Sequence, residues 1–499
     1  MVLNGEMSMP DTGVRDDRAN PTAVLPIVSP GGRPSARQRS WSACFGFWPR
    51  IAALVGLFLF AYFFVFAQVV ADAVAGSRTA FLVVAPLLVA LIAFGYRTAP
   101  RGVGDNESDW IFAALAGAAG FTAIALLTHR FPTLAALWRL ELVGAVMWVA
   151  CSAVIMFGVR HVVRMWQLWA FAFFCSTPLP FLMMIAVIGG SDAAAAALGA
   201  TLGAVAAYLA GRATRSRWRL AAALGCLAVG VGLAVLLIRH TTLLVTLVVV
   251  AAILPVLVTA GLHYLTRATG NQQWAAITVR FPGRSPRSFV ALALVAVVLL
   301  VLHPPVPRPQ VPPLVRGDWA NRGALAHVAE FPFITRFIGP GATLTRFDVP
   351  SSAAFPAAAV DVMTTANLAA LRDYADAVWY PTPMPVHYRP ADSGDGARTV
   401  HSNADAATDS AARDWYAVTW VWRVPGAYQQ VTVIVSQVLT SDDPPPAPQP
   451  LSVSETIAGP AAWVVRQQPE YVSPVDPLVT ERATEVVRLL LSAGKPTDV

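Results

Sequence analysis

The sequence predicts a membrane-embedded bundle of helices, all-α and multi-pass, followed by a smaller α+β domain. Three observations predict it. Nine apolar stretches fill the first 300 residues, and a bilayer core of about 30 Å calls for about 20 apolar residues per helical crossing. The composition, 56% hydrophobic and 13% charged, is not that of an ordinary soluble chain. The charge also divides along the sequence. From Arg316 onward there are 13 basic and 19 acidic residues, a balance of −6, so the overall +7 leaves +13 to the first 315 residues. The high isoelectric point therefore belongs to membrane loops and excludes nucleic acid as the expected partner.

Residues 1–40 are polar, contain Pro and Gly, and read as a disordered tail with no cleavable leader. Residues 41–303 form the expected transmembrane domain. It opens on Trp41, Phe45, Phe47 and Trp48, aromatic residues suited to the interface. The predicted spans are Ile51–Val70, Thr79–Tyr96, Ile111–Thr128, Leu142–Val159, Leu168–Val187, Ala193–Ala210, Leu220–Ile238, Leu243–Leu262 and Phe289–Leu302. The last is only 14 residues long; snorkelling of Arg287 and a tail through Val306 would extend it to a crossing, and without that crossing the last domain is cytoplasmic. Pro178 and Pro180 break the fifth span and Pro255 interrupts the eighth.

Arginine sets the expected orientation. The even-numbered loops hold Arg97, Arg101, Arg160, Arg164, Arg212, Arg215, Arg217, Arg219, Arg267, Arg280, Arg284 and Arg287, whereas the odd-numbered loops hold Arg78, Arg130, Arg139 and Arg239. The positive-inside rule then places the amino terminus in the cytoplasm. Nine spans place the acidic carboxyl-terminal domain outside a bacterial plasma membrane. Asn271–Arg287 is a polar stretch expected along the inner surface.

Residues 304–315 are so rich in proline that they read as a polyproline II stalk, holding the next domain off the bilayer at about 3 Å per residue. Residues 316–499 then read as one extracytoplasmic α+β domain. Ala366–Ala377 has helical spacing. Trp415–Val424 alternates, Pro425-Gly426 marks a turn and Val431, Val433 and Val435 resume the alternation, which predicts a hairpin. Asp476 as N-cap, Pro477 at the first helical position, and Val479, Ala483, Val486 and Leu490 as one apolar stripe predict a closing helix ended by Gly494. Pro390–Ala412 and Pro444–Pro450 read as unstructured.

Candidate chemistry gathers at the ends of the spans on the arginine-poor side. His129 and Arg130 end the third span, Arg239 and His240 the seventh, and His303 the ninth. Imidazoles near neutrality suit acid–base work and guanidinium groups suit phosphate or carboxylate, so His129, Arg130, Arg239 and His240 form the candidate catalytic set. Asp72, Arg139 and Glu141 lie at the same level, with Asp72 and Glu141 as candidate binding residues. Trp420 and Trp422, with Tyr416, form an aromatic face able to stack on sugar rings or a partner. No metal-ligand spacing and no cofactor motif occurs. No span carries a midplane carboxylate, which argues against a proton-coupled transporter, and no ring of charges or filter-like loop marks a channel. Cys44, Cys151, Cys175 and Cys226 are the only cysteines, so the exported domain has no disulfide framework.

The run from Ile51 to Met184 resembles the front half of the exosortase and archaeosortase membrane proteins. Phe81-Leu-Val-Val-Ala-Pro-Leu-Leu-Val with an arginine-containing loop after it, Arg164-Met-Trp-Gln-Leu-Trp, and Thr177-Pro-Leu-Pro180 carry the resemblance. It covers about a quarter of the chain and implies peptide processing at the outer leaflet. That family's nucleophile lies in a Cys-Ser-Gly motif. The nearest sequence here is Cys151-Ser152-Ala153, expected near mid-bilayer, where a thiol is a poor nucleophile. The Asp72 position is also similar to the outer acidic residue of lipid-linked sugar transferases, although Ala71–Arg78 is a short loop for such a site. The expectation is a non-catalytic protein of the cell envelope, anchored in the bilayer and presenting a domain to an envelope protein, glycan or lipid-linked precursor. The alternative is an outer-leaflet enzyme using the His/Arg set.

Overall fold

Apolar runs become helices here because a backbone in lipid satisfies its polar groups only within the segment. The computed structural model describes residues 47–96, 106–268, 286–305, 311–349, 356–382, 386–391, 396–402, 414–439, 443–452, 456 and 474–495. The expected tail at 1–40, Trp41, Phe45, most of Asn271–Arg287 and residues 306–310 lie outside them.

All nine predicted stretches are helical. In chain order the elements are α1 (Phe47–Ala61), α2 (Phe63–Val74), a 3-10 turn (Arg78–Ala80), α3 (Phe81–Phe94), α4 (Asn106–Arg130), α5 (Pro132–Trp138), α6 (Leu140–Phe157), α7 (Val159–Arg164), α8 (Trp166–Ser176), α9 (Pro178–Val187), α10 (Asp192–Ala210), α11 (Ser216–Leu237), α12 (Leu243–Leu247), a π-helical turn (Val248–Ile253), α13 (Leu254–Ala268) and α14 (Pro286–Leu302). Among the described residues five helices are long and apolar enough to cross a bilayer, and seven if two bent pairs each count as one span. The pairs are α1–α2, bent by 75°, and α8–α9, bent by 69°. The second bend falls at Pro178, as expected. The first falls at Tyr62, inside the predicted span Ile51–Val70. Pro255 does not interrupt its helix. A proline has no N–H to give the carbonyl four residues back, and the ladder widens to the π-helical turn just before it. Residues 78–94 and 287–302 form shorter apolar helices.

Contacts among the helix ends gather them into two layers. In one layer Arg50 donates to the Met156 carbonyl at 2.9 Å. There Asp109, almost fully buried, accepts from the Val159 amide at 2.8 Å. Gly158, at φ +95°, lies close enough to that carboxylate that a side chain would crowd it. Arg212 lies 3.9 Å above the Tyr96 ring and donates to Gln167 at 2.9 Å. This is the arginine-rich layer. Between the layers, Leu88, Ile92, Cys175, Leu182, Ala195 and Leu247 belong to one core.

The carboxyl-terminal part is α15 (Trp319–Arg322), β1 (Ala326–Glu330), α16 (Ile334–Ile338), β2 (Thr343–Asp348), β3 (Ala358–Thr365), α17 (Leu368–Asp373), β4 (Arg389–Pro390), β5 (Arg398–His401), β6 (Trp415–Val424), β7 (Ala427–Ser436) and α18 (Pro477–Gly494). The strands form one antiparallel sheet in the order β1-β2-β3-β7-β6-β5-β4. The β6–β7 hairpin and α18 match their sequence signals, with Asp476 accepting from the Leu478 amide at 2.8 Å. One face of the sheet packs on α18 through Val360, Val418, Trp420, Trp422, Val433 and Leu490. The other face looks toward the bundle, and Leu344 and Met363 join the membrane core there together with Ile334, Phe337, Tyr374 and Trp379.

Three expectations change. The domain does not stand off on a stalk; it is docked on the helices. Of the proline-rich stretch, the Pro313 carbonyl accepts from the Arg423 amide at 2.8 Å, so its end belongs to the domain. Within Pro390–Ala412, β5 forms and pairs with β6. The Pro-rich 444–450 run has no regular structure but is pinned: Arg346, paired with Asp361 at 2.7 Å, donates to the carbonyls of Pro445 and Pro446 at 3.1 and 2.8 Å.

Candidate functional site

Polar chemistry concentrates where the sheet domain meets the arginine-poor layer. Gly76, at φ +92°, turns the chain after α2, and the Ser77 hydroxyl accepts from the Thr79 amide at 3.0 Å to start the 3-10 turn. The same hydroxyl donates to Asp373 at the end of α17. The Arg78 amide donates to the other carboxylate oxygen of Asp373 at 2.8 Å. The Arg78 guanidinium is 3% exposed, donates to the Phe337 carbonyl at 2.6 Å and reaches Asp192 at 3.3 Å. Asn367 donates to the Gly76 carbonyl at 3.3 Å, and the Tyr374 hydroxyl to that of Leu182 at 3.4 Å. Close approach depends on two glycines. A Cβ at Gly190 (φ +73°) would meet the backbone of Arg336, and one at Gly339 (φ +126°) would meet the Arg78 guanidinium.

Burial decides the state of Asp373. Desolvation pushes its carboxyl up to about 6, against the lowering effect of Ser77, the Arg78 amide, and the charges of Arg139 and Arg78. Burial likewise raises Tyr374, its neighbour, well above the ordinary phenol value.

A second group of charges lies beside this joint. Arg139, in a left-handed conformation at φ 48° between α5 and α6, pairs with Asp72 at 3.0 Å. Glu141 in the first turn of α6 faces the charges of Arg139, His303 and Asp376. The His303 ring lies 4.9 Å from that of Tyr62, and its Nδ1 is 2.8 Å from the Leu299 carbonyl. Asp376 pairs with Arg398 at 2.7 Å. Arg398 lies 4.4 Å above the Tyr388 ring and also donates to the Ala375 carbonyl at 2.5 Å. Of these, Asp376, Tyr388 and Arg398 border a cleft of about 560 Å³, which Pro132 and Thr133 from the bundle and Arg389 from the domain also line.

The sequence-predicted residues fare differently. Asp72 and Glu141 lie at the joint. His129, Arg130, Arg239 and His240 are exposed, and among the described residues their side chains make no hydrogen bond or ion pair that would draw them into one site. Trp420 and Trp422 are 7% and 1% exposed, packed against α18 and, for Trp422, held to Gln429 at 3.2 Å. They are core, not a stacking face, because α18 covers the side of the sheet on which they alternate. Cys151 and Cys175 are buried as well. Among the described residues no group of three or more His, Cys, Asp or Glu side chains is placed to hold a metal. Sequence reasoning missed Ser77, Arg78, Asp373, Asp376 and Arg398. The one available signal was a serine and an arginine together in a short loop of the arginine-poor side.

No family model matches this chain, and no curated protein or solved structure does.

Proposed function

We propose that this is a multi-pass plasma-membrane protein of the bacterial cell envelope that binds rather than catalyses. In this reading nine helices cross the bilayer, the amino terminus is cytoplasmic, and the sheet domain, carried on the exported side, presents a binding surface to an envelope protein, glycan or lipid-linked precursor. The observation that carries the reading is the docking of the domain on the arginine-poor ends of the helices, since arginine-poor ends belong outside. Its shared core and buried Arg78–Asp373 joint make domain and bundle one rigid support for a partner. The peptide-processing reading implied by the exosortase resemblance lacks support of this kind, because Cys151 and Cys175 are sealed in the core and the His/Arg set does not converge.

Complementation of a deletion strain tests the reading. His129→Ala, Arg239→Ala and His240→Ala are expected to restore the envelope phenotype fully. Gly190→Val, which drives a side chain into the backbone of α16, is expected to insert in the membrane but fail to complement. Loss of function in any of the three alanine variants at normal protein levels would contradict a non-catalytic role.

A further inference from the structure

We propose that the cleft at the joint holds the headgroup of an anionic phospholipid, a ligand class that deepens the binding role above and rests on its membrane placement. The first argument is height. Pro132 and Thr133 follow directly on α4, a helix of 25 residues of whose apolar side chains only Ala113 is buried, as suits a helix with a broad lipid-facing side. Its last residues, His129 and Arg130, mark the edge of the apolar band, so the cleft opens at the level where headgroups lie.

The second argument is charge. Among the described residues the lining contributes two guanidinium groups, Arg389 and Arg398, from the adjacent strands β4 and β5, against one carboxylate, Asp376. Arg398 neutralises Asp376 at 2.7 Å. The Arg389 side chain makes no hydrogen bond or ion pair among the described residues, and its charge bears on His401. Arg130, exposed two residues before Pro132, adds a further positive charge at the bundle edge. The balance favours an anion.

The third argument is preorganisation. Arg398 lies over the ring of Tyr388, whose own hydroxyl is committed to the Ala377 carbonyl at 3.1 Å. A guanidinium has five N–H donors, and Arg398 spends one on Asp376 and one on Ala375. Donors remain for phosphate oxygens with no ordering of the side chain left to do. The rest of the lining includes Pro132, Pro390, Ala391 and Ala397, apolar groups that suit the glycerol and upper acyl portion of a lipid and offer nothing to free phosphate.

Purified full-length protein in detergent, titrated with dioctanoyl phosphatidylglycerol, dioctanoyl phosphatidylcholine or inorganic phosphate and read by native mass spectrometry, tests this. Expected is saturable retention of phosphatidylglycerol, weakened about tenfold by Arg389→Ala, the loss of one charge-assisted contact, and weakened further when Arg130→Ala is added. Arg239→Ala, on the same side but outside the cleft, leaves binding unchanged. Equal retention of phosphatidylcholine, full competition by inorganic phosphate, or indifference to Arg389→Ala and Arg130→Ala would each overturn the proposal. The detergent assay does not depend on sidedness, so its failure is separable from failure of the topology on which the binding role rests.

Discussion

Asp373 shows how one side chain ties two parts of the chain together. Its oxygens take the Ser77 hydroxyl and the Arg78 amide, and its burial raises its carboxyl to about 6. A carboxyl held above its unfolded value keeps its proton more tightly in the fold. Its contribution is therefore complete below about pH 4 and is lost as pH rises through about 6. Charging it at this depth costs roughly 3 kcal/mol. Thermal unfolding of the detergent-solubilised protein is thus expected to show a higher midpoint at pH 5 than at pH 8. In Asp373→Asn, which keeps the shape and removes the charge, that difference should shrink markedly. An unaltered pH profile in the Asn variant would show that the joint is insensitive to this proton. None of this is visible in the sequence, where Asp373 is one acidic residue among many and its partner Ser77 is 296 positions away.

At the scale of elements, legibility follows locality. The apolar runs, the break at Pro178, the β6–β7 hairpin and the N-cap of α18 each depend on residues close in sequence, and each forms where the pattern places it. The bend at Tyr62 has no proline or glycine beside it, and the pinned proline run depends on Arg346 from another strand. These could not be read from neighbours. The aromatic alternation on β6 is the instructive case. Period-two spacing identifies a face but not its cover, and the cover is α18, which begins more than fifty residues later. Trp422→Ala should therefore act on stability. A fully buried Trp replaced by Ala costs about 3–5 kcal/mol. Chemical denaturation should show that loss, while any binding activity of the variant that remains folded should be unchanged. A Trp422→Ala protein of normal stability with impaired ligand binding would return the tryptophan to the surface role.

At the scale of the whole molecule, one organising asymmetry accounts for the arrangement. Arginines gather at one end of the bundle, where Arg212 and Arg50 close the helix ends. The acidic sheet domain closes the other end over a buried arginine, an ion-paired second layer and a cleft. The charge split and the apolar runs were legible in the sequence, but its proline-rich linker suggested separation where the folded chain has contact. A linker reports the reach of the chain and says nothing of the affinity between what it joins. Leu344, Met363, Phe337 and Trp379 supply that affinity by entering the membrane core.

The account turns on which side of the membrane the sheet domain occupies. Cysteines placed at Ser492, exposed on α18, and at Ser216, exposed at the start of α11, in a chain whose Cys44 is serine, give the direct measurement. An impermeant maleimide added to intact cells is expected to label the Ser492→Cys protein and to reach Ser216→Cys only after the membrane is opened. Labelling of Ser216→Cys in intact cells, with Ser492→Cys protected, would contradict the account.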